Sequence, residues 1–491
     1  MQQDERPPLT FPHPSRNMKV FAFLAFAFFV LTILCYALYD DESGKPKHMA
    51  VISATYFKKF LIVQNNMMIM LFAAEKNFRR QSPLSCVSSN YTHQLVTDTR
   101  IYYAYAPIRE CKWTIFMAVC FVAYDADKFA IESTEENGDF AMIPFRLPVR
   151  KKHTVVACFS PLFFNERWQL LLAGLEIRRT FGVSMQVFYI SSILGSLMDV
   201  LRKYAEIGLA SIQEWSRIDI GNLKATYDPN LELDWRNQAA AHTDCLINYK
   251  DSAAFIIIAD IDDILFPQIA PTYFEEFQIL RQRTKAAAFI YERFITDIYT
   301  GSKPVNFSLA SLLLNGIVRN KWEHGKWVAD PKYIASAWIH WPGVMKSDHR
   351  LYHVPYEMNF MPHFRNWHFD VNADSEFSIP LRSLISSENV DRIQSNFVAM
   401  ASENLTSILP SLRRRPLYYP LIEDCYNAIF YNVRTTVSEC PGPIRCEIPR
   451  MRGIRCMNAR INHGHSRLEP LLFIHYPIRA TFEESFDGCY I

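Results

Sequence analysis

Glycine is scarce in this chain, 15 of 491 residues, and no internal repeat recurs along its length. A solenoid or a glycine-rich low-complexity chain is excluded on those grounds. An excess of one charge is missing too: 52 Lys and Arg against 50 Asp and Glu leave a formal net charge of +2. No global field gathers nucleic acid, and the short basic run Arg413, Arg414, Arg415 reads as a solvated face. C-x2-C knuckles are absent from the C-terminal cysteines. The spacings of 15, 6 and 10 from Cys425 through Cys440 and Cys446 to Cys456 argue against a structural zinc and for disulfide staples. What is present, 49% hydrophobic residues with 27 prolines, describes a globular chain of two or three packing units.

From Val20 to Tyr39 the chain carries no charge. At about 1.5 Å rise per residue this stretch spans the roughly 30 Å hydrocarbon core of a bilayer. The apolar run continues into Cys35, Tyr36 and Tyr39 without a small-x-small cleavage site, so an uncleaved anchor is predicted over residues 18–40. Arg6, Arg16 and Lys19 precede it and Asp40, Asp41 and Glu42 follow. By the positive-inside rule residues 1–17 form a cytosolic tail and the body is luminal, a single-pass type II arrangement. Three N-x-S/T sequons, at Asn90, Asn306 and Asn404, agree with that side of the membrane, as do the ten cysteines outside the apolar segment. Their pairing is not legible.

Residues 41–150 read as a luminal stem or small β-rich region, with short apolar runs at 101–106 and 113–124 and a surface hairpin or loop over 125–140. From His153 strands and helices alternate. "HTVVACF", "VSMQVFYI" (183–190), "LASIQEW" (209–215) and "AAFIIIA" (253–259) read as strands. Helical periods fall between them: Trp168 to Leu175, Ile193 to Tyr204, and 235–250. This predicts an α/β domain over 151–430, a mainly parallel Rossmann-like sheet with helices on both faces, and then a Cys-rich extension over 431–491.

The fourth strand runs into "FIIIADIDDILFP", which delivers Asp260, Asp262 and Asp263 to the carboxyl end of the sheet, where open α/β folds place ligands. Residues i and i+2 of an extended chain share a side, so Asp260 and Asp262 converge. Two carboxylates hold Mn²⁺ or Mg²⁺ well when a diphosphate supplies the remaining oxygens. Asp263, on the other side of the strand exit, is expected to cap or to touch a sugar and to tolerate Asn.

These blocks, with "VVACFSPLFFNERWQLLLAGLEIRRTFGVSMQVFYISS" (155–192), "WRNQAAAHTDCLINYKDSAAFIIIADIDDILFP" (235–267), "KWVADPKYIASAWIH" (326–340) and "PHFRN" (362–366), resemble glycosyltransferase family 92 over about residues 150–430. The resemblance implies a GT-A fold in a Golgi type II membrane enzyme. It implies a UDP-sugar donor, UDP-galactose, with Mn²⁺ dependence, inversion at the anomeric carbon and a glycan or glycoprotein acceptor. Two departures stand out: Asp263 where the family has Glu, and Phe364 where it has Tyr.

The remaining roles are candidates. His363 is the expected third metal ligand, with His340 the alternative; Lys326 and Arg365 could reach phosphate. Pro161, in the turn Ser160–Leu162 ahead of Asn165 and Glu166, opens a helix whose N–H groups could face the nucleotide. Asp244, with Gln238 and Arg236, lies on the helix where related enzymes contact uridine. The acceptor's proton needs a carboxylate base; Glu292, Glu323, Asp330 and Glu357 qualify, and Glu323 is the choice. A catalytically inactive glycan-binding or scaffold protein of the same fold is the alternative. A two-metal hydrolase would want further His and Asp clusters near the first strand, which Cys158–Ser160 lacks.

Overall fold

The computed structural model describes residues 46–491 except 59–65, 79–83, 135–138, 224–226, 302, 369–377 and 432–438. The predicted tail and anchor, with Cys35, lie outside the described residues; among those described no helix is long and apolar enough to cross a membrane. Lys47–Ile491 pack as one compact unit.

The four predicted strands form as β4 (His153–Phe159), β5 (Met185–Ile190), β6 (Ala210–Glu214) and β7 (Ala253–Ala259). They lie parallel in the order β6-β5-β4-β7. Beyond β7 the sheet turns mixed: β9 (Ile317–Ala329) runs antiparallel to β7 and to β8 (Ala288–Tyr299), and β8 takes β10 (Met361–His368) as a parallel partner. β4 is apolar on both faces because both are covered. Val155, Ala157 and Phe159 pack with α1 (Trp168–Thr180), α2 (Gly195–Glu206) and α4 (Tyr273–Thr284); Val156 and Cys158 pack with α3 (Gln238–Tyr249) and the first sheet.

That first sheet corrects the division into an N-terminal stem and a separate C-terminal extension. β1 (Lys47–Phe57), β2 (Met67–Glu75) and β3 (Trp113–Phe121) join a long hairpin, β11 (Cys456–Glu469) and β12 (Leu472–Ser485), with β12 lying parallel to β1. The two ends of the unit are thus one sheet. The 125–140 stretch contributes Lys128–Ser133 and Phe140–Met142, antiparallel neighbours in a small four-stranded sheet.

All ten cysteines after the apolar segment pair: Cys86–Cys120, Cys111–Cys440, Cys158–Cys245, Cys425–Cys446 and Cys456–Cys489. Cys158–Cys245 ties β4 to α3, and so fixes Ser160 at the strand's exit relative to Gln238 at the helix's start.

Candidate active site

β7 ends at Ala259 and the acidic run turns beneath a cleft. Asp263 closes the turn: one carboxylate oxygen accepts the Asp260 N–H at 2.8 Å and the other meets Arg293 of β8 at 2.9 Å. Its side chain is fully buried. From below, Arg178 of α1 donates to the carbonyls of Ile261 (2.9 Å) and Asp263 (2.8 Å). Gly174 makes this possible, since a Cβ there would come within 2.4 Å of the Arg178 guanidinium. Burial lowers the Arg178 pKa to about 10, which leaves the cation in place at neutral pH.

Asp260 and Asp262 face the cleft. Lys326, fully buried on β9, meets Asp260 Oδ2 at 2.9 Å, and Arg293 stands 3.8 Å away. The other Asp260 oxygen accepts from Ser160 Oγ and, at 2.9 Å, from Gln238 Nε2. Burial alone would raise the Asp260 pKa, but Lys326, Arg293 and the Ser160 hydrogen bond carry it well below the usual range. Asp262 Oδ2 lies 3.5 Å from His363 Nε2 and 3.7 Å from Arg167. Burial opposes its ionisation and His363 outweighs burial, so its pKa is also depressed. His363 is lifted to about 9, because Asp262 and Glu323 overcome the effect of burial.

Behind His363, Glu323 of β9 hydrogen-bonds its Nδ1. That bond holds the ring and directs Nε2 at the acids, the carboxylate–histidine arrangement that backs metal-binding imidazoles. Asp262, Asp263 and His363 bring ligand atoms within 4.8 Å of one another. Asp263, however, is fully buried below the floor and does not line the cleft, whereas the Asp260 side chain is 29% exposed and does, so Asp260 joins Asp262 and His363 as the donor set facing the cleft. Two carboxylates and one imidazole suit a hard or borderline divalent cation.

The cleft is about 740 Å³. Six cationic side chains line it, Arg167, Arg293, Arg319, Lys321, Lys326 and Arg365. Of its acids, Glu166 is committed to the backbone N–H groups of Leu417, Tyr418 and Tyr419, each at 2.7 Å. β10 supplies His363 and, past an irregularity in its pairing with β8 at Thr296/Asp297, both Arg365 and Asn366 to the cleft. A bulge is the device that re-aims neighbouring side chains this way. Phe364 between them is buried in the core, so a missing hydroxyl there is of little consequence.

Of the residues predicted from sequence, Asp260, Asp262, His363, Glu323, Lys326, Arg365, Gln238, Pro161 and His340 line one cleft. His340 stands apart from the acids: Nδ1 bonds the Gly325 carbonyl at 2.8 Å, and burial beside Lys326 lowers its pKa to about 3. Asp244 is not with them. Its carboxylate takes Ser53, Arg146 (both 2.5 Å) and Tyr189 (2.7 Å) and lies in the wall of a second cavity of about 530 Å³. Arg236 lies in the short turn Asp234–Asn237, its side chain outside what the structure describes. The turn at Ser160–Leu162 leads into α1, which starts at Trp168 with Arg167 at its cap position, and Glu166 serves the backbone at 417–419 rather than the helix start. Of the two roles expected for Asp263 the structure shows the cap: it does not line the cleft and is the turn's buried staple. Glu323, expected as the proton acceptor, is hydrogen-bonded to His363, which, with Arg293, depresses its pKa against the effect of burial. Of the other bases, Asp330 pairs with Arg281 at 3.1 Å and neither Glu292 nor Glu357 lines the cleft. Asn306 is exposed; Asn90 and Asn404 are half-buried.

Arg293, Arg178, Arg167 and Arg319 escaped the sequence reading. Arg293 carried a signal, since a charge in the apolar strand "AFIYERFITDIY" needs a partner.

The family model for glycosyltransferase family 92 matches residues 153–414. Two Caenorhabditis elegans proteins named as glycosyltransferase family 92 proteins are similar along nearly the whole chain. One is 32% identical over 470 residues (91% of this chain, 90% of that protein), the other 29% over 507 (96% and 98%). A likeness to the solved purple acid phosphatase of yellow lupin (Lupinus luteus), TM-score 0.17 and 10% identity over 39% of this chain and 37% of the other, carries no argument. With the acidic turn, its histidine and its cations all inside the matched segment, the chain belongs to glycosyltransferase family 92.

Proposed function

We propose that this glycosyltransferase is a metal-dependent inverting enzyme of GT-A type. It moves a hexose, galactose, from a UDP-sugar to a glycan acceptor in the Golgi lumen, held there by a single-pass type II anchor. The observation that carries the reading is the convergence of Asp260, Asp262 and His363, with Glu323 behind the imidazole, in a cleft that six Lys and Arg side chains line. Asp260, Asp262 and His363 Nε2 would hold Mn²⁺ or Mg²⁺, which when bound neutralises charge on a leaving diphosphate.

The residues of the chain do the rest. Lys326 and Arg293 hold Asp260 ionised, and Arg167 and Arg365 line the cleft, where they would meet the donor's phosphate oxygens. The second cavity lies over the carboxyl ends of β5 and β6 and meets the cleft at Phe163; it is our place for uridine, with Asp244 in its wall. In the transfer, an acceptor oxygen forms the new bond to the anomeric carbon as the bond to the diphosphate oxygen breaks. The electron pair leaves on UDP and the acceptor's proton passes to a carboxylate. Glu423, bonded to the Tyr419 hydroxyl at 3.1 Å, is a cleft carboxylate that among the described residues meets neither a backbone N–H nor a cation, and we assign it that role.

The test is turnover of a UDP-sugar panel by the full-length chain, titrated with Mn²⁺ after chelation. Galactose transfer that rises with Mn²⁺ and falls about 10²- to 10⁴-fold in Asp262→Asn is expected. Metal-independent turnover, or none with any UDP-sugar, overturns the proposal.

A further inference from the structure

The run Arg413–Arg414–Arg415 is not simply a solvated face. It lines a recess of about 300 Å³, at the small end of ligand pockets, that opens beside the catalytic cleft and shares Arg167, Arg365 and Tyr419 with it. Five guanidinium groups stand around this recess against two carboxylates, Glu166 and Glu423, and Glu166 is already taken by three backbone N–H groups. The excess is therefore local, although the chain as a whole is nearly neutral.

The walls between the charges are aromatic. Trp367 follows His363 and Arg365 along β10, and its indole N–H is fixed to the Phe364 carbonyl at 3.0 Å. Arg167 lies over the Tyr419 ring at 4.2 Å and within 5.8 Å of the Trp367 ring, and the same guanidinium stands 3.7 Å from Asp262. One side chain thus spans from the acidic turn to the recess. Flat rings beside planar, bidentate cations form a surface for a sugar ring that carries a carboxylate, sulfate or phosphate.

We propose that the recess is an acceptor subsite for an anionic glycan, and that the enzyme selects acceptors bearing a negatively charged group next to the hydroxyl it modifies. The proposal rests on the glycosyltransferase reading of the adjoining cleft. Glu423 lines both spaces, so an acceptor seated by the arginines has its hydroxyl end at the proposed proton acceptor.

The test separates the two readings by measuring acceptor binding without donor. Labelled oligosaccharide pairs differing only in a terminal glucuronate against glucose, a galactose 6-sulfate against galactose, or a mannose 6-phosphate against mannose are titrated onto the full-length chain. The charged member of at least one pair should bind about tenfold tighter. The preference should narrow in 0.5 M salt and fall below about threefold in Arg414→Gln/Arg415→Gln. Because the readout is a ratio within one preparation, loss of folded protein does not mimic it. Equal binding of all pairs, or a preference that survives the double variant, overturns the subsite. So does a charge preference found instead among donors, UDP-glucuronate over UDP-glucose. Failure of donor turnover with the binding preference intact overturns the transferase reading alone.

Discussion

Asp263→Asn should damage the fold more than the nearer acids do, against what the position of this residue in the sequence suggests. Its carboxylate has two partners in opposite directions, the Asp260 N–H at 2.8 Å and Arg293 at 2.9 Å, and no exposure. An amide has one oxygen. If that oxygen keeps the Asp260 N–H, the NH₂ faces the guanidinium; if it keeps Arg293, the NH₂ faces the backbone N–H. Either way a donor meets a donor. The loss is one charge-assisted hydrogen bond, about 1.5–3 kcal/mol, plus a buried unsatisfied donor at about 1–3 kcal/mol. Arg293 is not stranded, because Asp260 and Glu323 stand 3.8 and 3.9 Å away and His324 O accepts from it at 2.7 Å. That moderates the total to roughly 3 kcal/mol, the lower edge of what breaking a buried pair costs. Asp262→Asn, whose partners stand farther off at 3.5 and 3.7 Å, should cost less stability than that while abolishing most turnover. Denaturant unfolding of both variants, read beside transfer activity, is the assay. An Asp263→Asn protein within about 0.5 kcal/mol of the parent would refute the reasoning.

Asp234, buried with Tyr105 donating to it at 2.7 Å, has its pKa raised by burial to about 6, from an ordinary value of 3.8. The folded state therefore holds this proton more tightly, so the stability it contributes is full below pH 3.8 and is lost as pH rises through 6. The difference in unfolding free energy between wild type and Asp234→Asn should fall by about 2.4 kcal/mol from pH 4 to pH 7, and a difference flat with pH would show the carboxyl to be unperturbed. Replacing Cys158 and Cys245 by Ser opens a loop of 87 residues, for which loop-closure entropy gives a loss of about 4.5 kcal/mol. Because the bridge sets Ser160 against Gln238, donor KM should rise as well, and an unchanged KM would mean that these two residues hold register without it. Glu423→Gln should lower kcat with donor KM unchanged, whereas Glu323→Gln should weaken metal affinity; the reverse pattern would exchange their roles.

How far the sequence revealed the site depended on the range of each interaction. The parallel strands were legible because strands buried on both faces are runs of apolar residues, and their ends carried the acids. His363 was legible from a short block, since its neighbours Arg365 and Asn366 share the cleft. The floor was not legible, because Arg293 arrives on β8 from beyond the acidic turn and only the pairing of β8 with β9, and of β9 with β7, brings it under Asp260. Asp244 lies apart from the acidic cleft for a geometric reason. At about 100° per residue, the six positions from Gln238 turn through about 240°, so the two side chains leave α3 in different directions. α3 is buried nearly all round, which leaves no polar face in the sequence to say which direction meets the cleft.

The parallel pairing of β1 with β12 sets an order of events for a newly made chain. His48 and His475, hydrogen-bonded at 3.0 Å across that pair, are 427 residues apart in the sequence. The edge of β1 thus emerges from the ribosome early and waits for nearly the whole polypeptide before its partner exists. During that interval a strand of largely apolar composition stands open on one side, a template for pairing with another chain. Maturation of this protein is accordingly a post-translational event, and a stop codon anywhere before β12 leaves the first strand made without its mate.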